Sequence, residues 1–159
     1  MTRLKIAVFN GPNLNLLGTR QPEVYGCATV DDVEQLCLQT AEELSDEDSD
    51  EDDVVQIDFR QTNNEGELVS WIQECRGQMN GIILNPAAFG HTSIALLDAL
   101  LAVDLPTVEV HITNIHQREA FRHQLYTAQA AIGVICGFGV RGYQMAIRAL
   151  YDMFQDEDE

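Results

Sequence analysis

Residues 9–26 read FNGPNLNLLGTRQPEVYG, between an apolar run at 4–8 and a helix that opens near Thr29. A connector from a strand to the next helix usually takes about 2–6 residues, and longer ones tend to be lids or binding loops. This one holds Asn13, Asn15, Arg20, Tyr25 and the glycines Gly11, Gly18 and Gly26. Gly18 and Gly26 bracket Arg20 and Tyr25, which makes the segment a hinged flap able to carry both side chains onto a ligand. A surface loop with scattered polar residues is the alternative reading.

Working outward, residues 4–9 (LKIAVF) read as a buried strand. Thr29 is an N-cap with Asp32 as its capping-box partner, and Val30, Val33, Leu36, Cys37, Ala41 and Leu44 follow helical spacing. A second strand is expected at 54–59 (VVQIDF), then a polar loop at 60–65 and an amphipathic helix through Leu68, Trp71, Ile72 and Cys75. A third strand at 81–84 precedes Asn85-Pro86. Helix 91–103 follows, apolar nearly all round, which suits burial on two sides and makes its second side a candidate subunit interface. Strands at 107–110 and 132–136 flank a polar loop at 111–117 and a short helix at 118–125. Tyr143, Ala146, Ile147, Leu150 and Phe154 mark the last helix. This alternation predicts an α/β fold: a flavodoxin-like three-layer sandwich with a five-stranded parallel sheet of order 2-1-3-4-5. Residues 1–159 are expected to form a single domain.

The chain has 159 residues, is 45% hydrophobic and carries a formal charge of −17. Much of the excess acid lies in 45–53 (SDEDSDEDD), read as an acidic insertion, and in a tail at 155–159 that continues from Asp152. The body is only mildly acidic. Without a basic patch to neutralise phosphates, nucleic-acid binding is not expected. No apolar stretch reaches the ~18 residues of a membrane span, and 4–8 is too short for a signal-peptide core, so no membrane partner and a cytoplasmic location are expected. Cys27, Cys37, Cys75 and Cys136 form no C-x-x-C pair, and reduced thiols are the expectation. No His/Cys cluster has metal-ligand spacing, and neither G-x-x-x-x-G-K-[ST] nor G-x-G-x-x-G follows strand 1.

In this topology the loops after strands 1, 3 and 4 open at one sheet edge. They bring Asn10, Asn13, Arg20, Tyr25, Asn85, His91, Glu109, His111, Thr113, Asn114 and Arg122 toward a site for a polyhydroxylated, anionic small molecule. Glu109 and His111 alternate with Val108 and Val110, so carboxylate and imidazole share a face, where the acid fixes the tautomer and favours the imidazolium. Structural readings stand beside these. Asn10 and Asn13 also suit turns, His91 a helix cap, His111 a packed histidine, and Arg122 an ordinary surface position.

The segments NGPNLNLLGTRQPEVYG, DFRQTNNEGELVSWI, NPAAFGHTSIALLDAL, VEVHITN and FRHQ, in that order and spacing, resemble type II 3-dehydroquinate dehydratase over nearly the whole chain. The resemblance implies reversible dehydration of 3-dehydroquinate to 3-dehydroshikimate through an enolate, with no metal or organic cofactor, in a homo-oligomer commonly built as a dodecamer of four trimers. Carried over by position, Tyr25 resembles the base, acting as tyrosinate. An unperturbed tyrosine has a pKa of about 10, and the charge of Arg20 beside it would lower that. Asn13 matches the residue that stabilises the enolate with a water, His111 the general acid, and Glu109 its orienting partner. Asn85, His91 and Arg122 match contacts to the substrate's hydroxyls, and the Ile112 and Thr113 amides those to its carboxylate. Asp98 corresponds to an acid supplied by a neighbouring subunit.

The sequence departs from the family pattern at three positions. Thr113 stands where Ser is usual, Gly90 where Thr usually precedes the histidine, and Asn64 where His is common. A non-catalytic flavodoxin-like small-molecule binding protein is the competing functional reading, and retention of both Arg20 and Tyr25 argues against it.

Overall fold

The computed structural model describes residues 3–47 and 54–157. Most of the acidic insertion and the last two residues of the tail lie outside the described residues. Five strands, β1 (Arg3–Asn10), β2 (Val54–Gln61), β3 (Gly81–Asn85), β4 (Thr107–His111) and β5 (Gly133–Cys136), form one sheet of order β2-β1-β3-β4-β5. All neighbours pair in parallel. The strands read as nearly continuous Leu/Ile/Val runs because both sheet faces are covered. Leu4, Ile6 and Val8 of β1 face α2 (Val30–Glu47) and α5 (Arg141–Glu157), with Val33, Cys37, Tyr143 and Ile147 in the same core. Ala7 and Phe9 point the other way, to Leu68 and Ile72 of α3 (Glu65–Glu74) and Leu96 and Leu100 of α4 (Ile94–Val103). A period-2 strand thus feeds two cores, and the sandwich has the three layers and the strand order expected.

Helix starts follow their caps. The Thr29 N–H donates to Asp32 Oδ2 at 2.9 Å and the Asp32 N–H to Thr29 Oγ1 at 3.2 Å, a reciprocal capping box. Ser45, counted with the acidic insertion, belongs to the packed body: its hydroxyl donates to the Ala41 carbonyl at 2.7 Å and accepts from the Val55 N–H at 3.0 Å. The expected loop at 60–65 is shorter, since β2 continues to Gln61 and α3 begins at Glu65. Arg60 is tolerated on the strand because its guanidinium pairs with Asp58 at 2.8 Å and Glu74 at 3.0 Å. Asn64 caps α3 by accepting from the Glu67 N–H.

Two expectations are corrected. Helix α4 starts at Ile94, not His91, because Ser93 is extended and caps it through the Leu96 N–H, while His91 closes a 3-10 turn at Ala87–His91. The expected helix at 118–125 is only a 3-10 turn at Ala120–Arg122. Its i→i+3 bonds, Arg122 N–H to Glu119 and His123 N–H to Ala120, are not continued as an α-helix. On α4, Leu96, Ala99, Leu100 and Val103 are buried, while Ile94 and Leu101 stand 56% and 58% exposed. Among the described residues no helix is long and apolar enough to cross a membrane.

Candidate active site

The site is built on the carboxyl ends of β1, β3 and β4, where Asn10 and Asn85 lie in register. Beneath it, Tyr143 of α5 is fully buried. Its hydroxyl donates to Asn10 Oδ1 at 2.6 Å and accepts from Asn85 Nδ2 at 2.8 Å. Asn85 Oδ1 accepts from the Ala87 N–H at 3.1 Å. Both ends of the Asn85 amide are therefore assigned, and only its second N–H remains as a donor. Burial pushes the Tyr143 phenol up, against the bond from Asn85, so it works as a neutral hydroxyl.

One strand along, His111 Nε2 lies 2.8 Å from Glu109 Oε2, and both residues are buried. A carboxylate accepts, so Nε2 carries the proton and Nδ1 is left for acid–base work. Thr127 donates its hydroxyl to Glu109 Oε1. The His91 ring stacks on His111 with centroids 6.0 Å apart. His91 Nδ1 lies 2.8 Å from the Gln124 carbonyl oxygen and so donates to it, which leaves Nε2 as an acceptor. Partial burial holds the His91 pKa below its ordinary value, with the neighbouring His111 and Arg122 acting the same way.

The flap covers this floor. Gly18 and Gly26 have φ of +88° and +81°, left-handed values at both ends of the segment. Between them Pro22–Tyr25 forms the single-turn helix α1, which orders the part of the long connector that carries the phenol. The Arg20 guanidinium carbon lies 4.7 Å from the Tyr25 ring centroid. Arg118 reaches the same ring from the loop after β4, at 5.3 Å, and its Nη1 donates to Thr113 Oγ1 at 3.2 Å. Asn13 sits in a left-handed conformation (φ +68°), and its N–H donates to Asn63 Oδ1 at 2.9 Å.

One pocket is lined by Pro12, Asn13, Leu14, Arg20, Tyr25, Asn85, Ala87, Ala88, His91, His111, Ile112, Thr113, Ile115, Arg118 and Arg122. It gathers the sequence-predicted residues except Asn10, Asn114, Glu109 and Asp98. Asn10 is bonded to Tyr143 beneath it, and Asn114 caps the 3-10 turn Ile115–Gln117. Glu109 stands behind His111, in contact with its Nε2. Asp98 lies on the exposed face of α4, outside this pocket. Arg122 Nε donates to Glu119 Oε2 at 2.7 Å, and Arg118 Nε lies 3.8 Å from the same oxygen. Sequence reasoning passed over Arg118, Thr127 and Tyr143. Arg118 had a signal, a basic residue on the loop between His111 and Arg122. Thr127 and Tyr143 had none, because only folding brings their hydroxyls to Glu109 and to Asn10 and Asn85.

A parallel α/β sheet that sets an imidazole–carboxylate pair and an arginine-flanked phenol around one polar pocket has the parts of an acid–base site for an anionic small molecule. The profile of the family described as dehydroquinase class II matches residues 4–151. A relative named 3-dehydroquinate dehydratase 2, from Pseudomonas aeruginosa, is 51% identical over 98% of both chains. Another, 3-dehydroquinate dehydratase 1 from Bradyrhizobium diazoefficiens, is 56% identical over 91% of this chain and 88% of its own. The solved type II dehydroquinase of Butyrivibrio crossotus superposes with a TM-score of 0.86 at 36% identity, covering 94% of this chain and 98% of that one. The chain belongs to the class II dehydroquinase family, a family of enzymes.

Proposed function

We propose that the chain catalyses the reversible anti dehydration of 3-dehydroquinate to 3-dehydroshikimate. The Tyr25 phenolate removes the proton from the carbon beside the ketone. The electron pair moves into an enolate, stabilised by Asn13 through a water. Collapse of the enolate expels the hydroxyl, to which His111 Nδ1 delivers a proton, so that water leaves and the enone remains. Arg20 and Arg118 supply positive charge beside the phenolate, Glu109 supports the imidazolium, and the Ile112 and Thr113 amides hold the substrate carboxylate. Asn85, His91 and Arg122 bind the ring hydroxyls.

The observation that carries this reading is the pairing in one pocket of Tyr25, under two guanidiniums, with His111, backed by Glu109. A mere binder has no need of a phenol so flanked, which argues against the binding-protein alternative. Asp98 completes the site from a neighbouring subunit in a homo-oligomer, a dodecamer built from trimers. Its place on an exposed helix face beside Leu101 suits such a contact. The whole chain acts as a single cytoplasmic catalytic domain. The direct test is formation of the enone, followed by its ultraviolet absorbance. Wild type should form it, and Tyr25→Phe should bind substrate while losing nearly all turnover. A folded wild-type enzyme that makes no enone would sink the proposal.

A further inference from the structure

We propose that Thr127 is a positioning residue for the general acid, its buried hydroxyl keeping the proton shared by Glu109 and His111 on the imidazole. The inference rests on the acid role proposed for His111. The Glu109 side chain is only 1% exposed. One of its oxygens accepts from His111 and the other from Thr127, itself fully buried. Among the described residues no arginine or lysine is paired with it. The titratable and charged groups that face the pair are the His91 ring, stacked on His111, and Arg122 beside His91. A carboxylate so enclosed has lost its water and depends on its donors, and two donors is a small number.

Local packing puts the hydroxyl there. Thr127 opens the 3-10 turn Thr127–Ala130, and the preceding Tyr126 N–H donates to the Gly90 carbonyl at 2.8 Å. A Cβ on residue 90 would lie 3.3 Å from Thr127 Oγ1 and 2.8 Å from Pro86 Cγ, so the glycine leaves room for the hydroxyl against the wall of the site.

The consequence is chemical. To protonate a departing hydroxyl through Nδ1, His111 must carry protons on both nitrogens, with Nε2–H given to an anionic Glu109. Without the Thr127 donor the carboxylate is short of a partner, and the Nε2 proton passes to it. The pair is then a carboxylic acid and a neutral imidazole that keeps its Nδ1 proton, and a neutral imidazole is a far weaker acid toward the departing hydroxyl than the imidazolium.

Thr127→Val removes the donor at nearly constant shape, and Thr127→Ser restores it. In the full-length assembled enzyme, Thr127→Val should lower kcat by about 10–100-fold with KM within about twofold, and Thr127→Ser should recover most of the loss. Infrared spectra of the ligand-free enzymes supply a readout that needs no turnover. Thr127→Val should show the carbonyl stretch of a protonated carboxyl, absent from wild type and lost again when Glu109→Gln is added. Should Thr127→Val fail to fold, Thr127→Cys, with its weak S–H donor, takes its place. Wild-type kcat in the folded variant without that band would overturn the proposal, as would a Thr127→Ser enzyme as impaired as Thr127→Val. A wild type without dehydratase activity would defeat the functional reading instead, and the infrared comparison would still decide the role of Thr127.

Discussion

Arg118 holds its guanidinium carbon 5.3 Å from the centroid of the Tyr25 ring, from a loop more than ninety residues away in sequence. Arg20, on the same flap as the phenol, stands at 4.7 Å. A phenol that must act as its anion gains from each nearby cation, and losing one disfavours the anion. Arg118→Ala should therefore cut kcat at neutral pH by about 10–100-fold, each factor of ten being ~1.4 kcal/mol, and should move the acid-side limb of the pH–kcat profile to higher pH. An unmoved limb would assign Arg118 to substrate binding alone. Arg118→Lys keeps the charge but not the planar fork, and should fall between the two.

Glu109 accepts from His111 Nε2 at 2.8 Å, which fixes the tautomer. Glu109→Gln keeps the shape and removes the charge that supports the imidazolium. On the acid role proposed for His111, turnover should fall by about 100-fold with little change in KM. Steady-state kinetics at saturating and limiting substrate separate these outcomes. A loss confined to KM would show that the pair serves binding.

Physical scale explains which features were legible in the sequence. The strands could be read because apolar runs such as IIL at 82–84 are covered on both faces. The start of α2 could be read because a capping box is a contact over three residues. The start of α4 was misplaced because apolar periodicity at 94–103 does not show where an extended Ser93 ends the preceding 3-10 turn. Asn13, Arg20, Tyr25, Asn85, His91, His111 and Arg122 converge because strand order alone sets their loops at one edge. Tyr143 was legible only as a core position of α5. That its hydroxyl ties Asn10 to Asn85 depends on how α5 lies on the sheet, which no local pattern encodes.

The two flap glycines should behave differently. Both need positive φ, so any L-residue there is strained by about 1–2 kcal/mol. At Gly26 an added Cβ meets nothing within 4 Å, whereas at Gly18 it would stand 2.9 Å from Thr29 Cγ2 and 3.1 Å from the Cys27 carbonyl oxygen. Gly26→Ala should therefore cost only strain, and Gly18→Ala should also push the flap off the cap of α2. Turnover should fall further in Gly18→Ala than in Gly26→Ala. Equal losses would mean that backbone conformation alone controls the flap.

Tyr143→Phe removes one hydroxyl and leaves two buried amide groups short of a partner, the Oδ1 of Asn10 and the Nδ2 of Asn85. The expected cost is about 1–3 kcal/mol of unfolding free energy, read from the denaturant midpoint at unchanged slope. The loss should reach the site as well. Asn85 keeps its Ala87 anchor but not the bond that orients its second N–H toward the pocket, so KM should rise. A stability loss with unchanged kinetics would limit the network to a structural role.

His91 gives the pH dependence a definite sign. Its folded-state pKa lies below the ordinary value of 6.5, first through burial and then through neighbouring His111 and Arg122. Above pH 6.5 the ring is neutral in both folded and unfolded chains and contributes no difference. As pH falls from there toward the folded value, the unfolded chain takes up a proton that the folded chain does not, and stability is lost. His91→Gln retains an amide donor for the Gln124 carbonyl and removes the titration. The difference in unfolding free energy between wild type and His91→Gln should hence be constant above about pH 7.5 and shift against wild type as the pH drops below about 6.5. A difference that instead moves in favour of wild type on acidification would mean that the folded site welcomes the charged ring, and His91 would then meet its ligand as an imidazolium donor and not as the neutral acceptor described above.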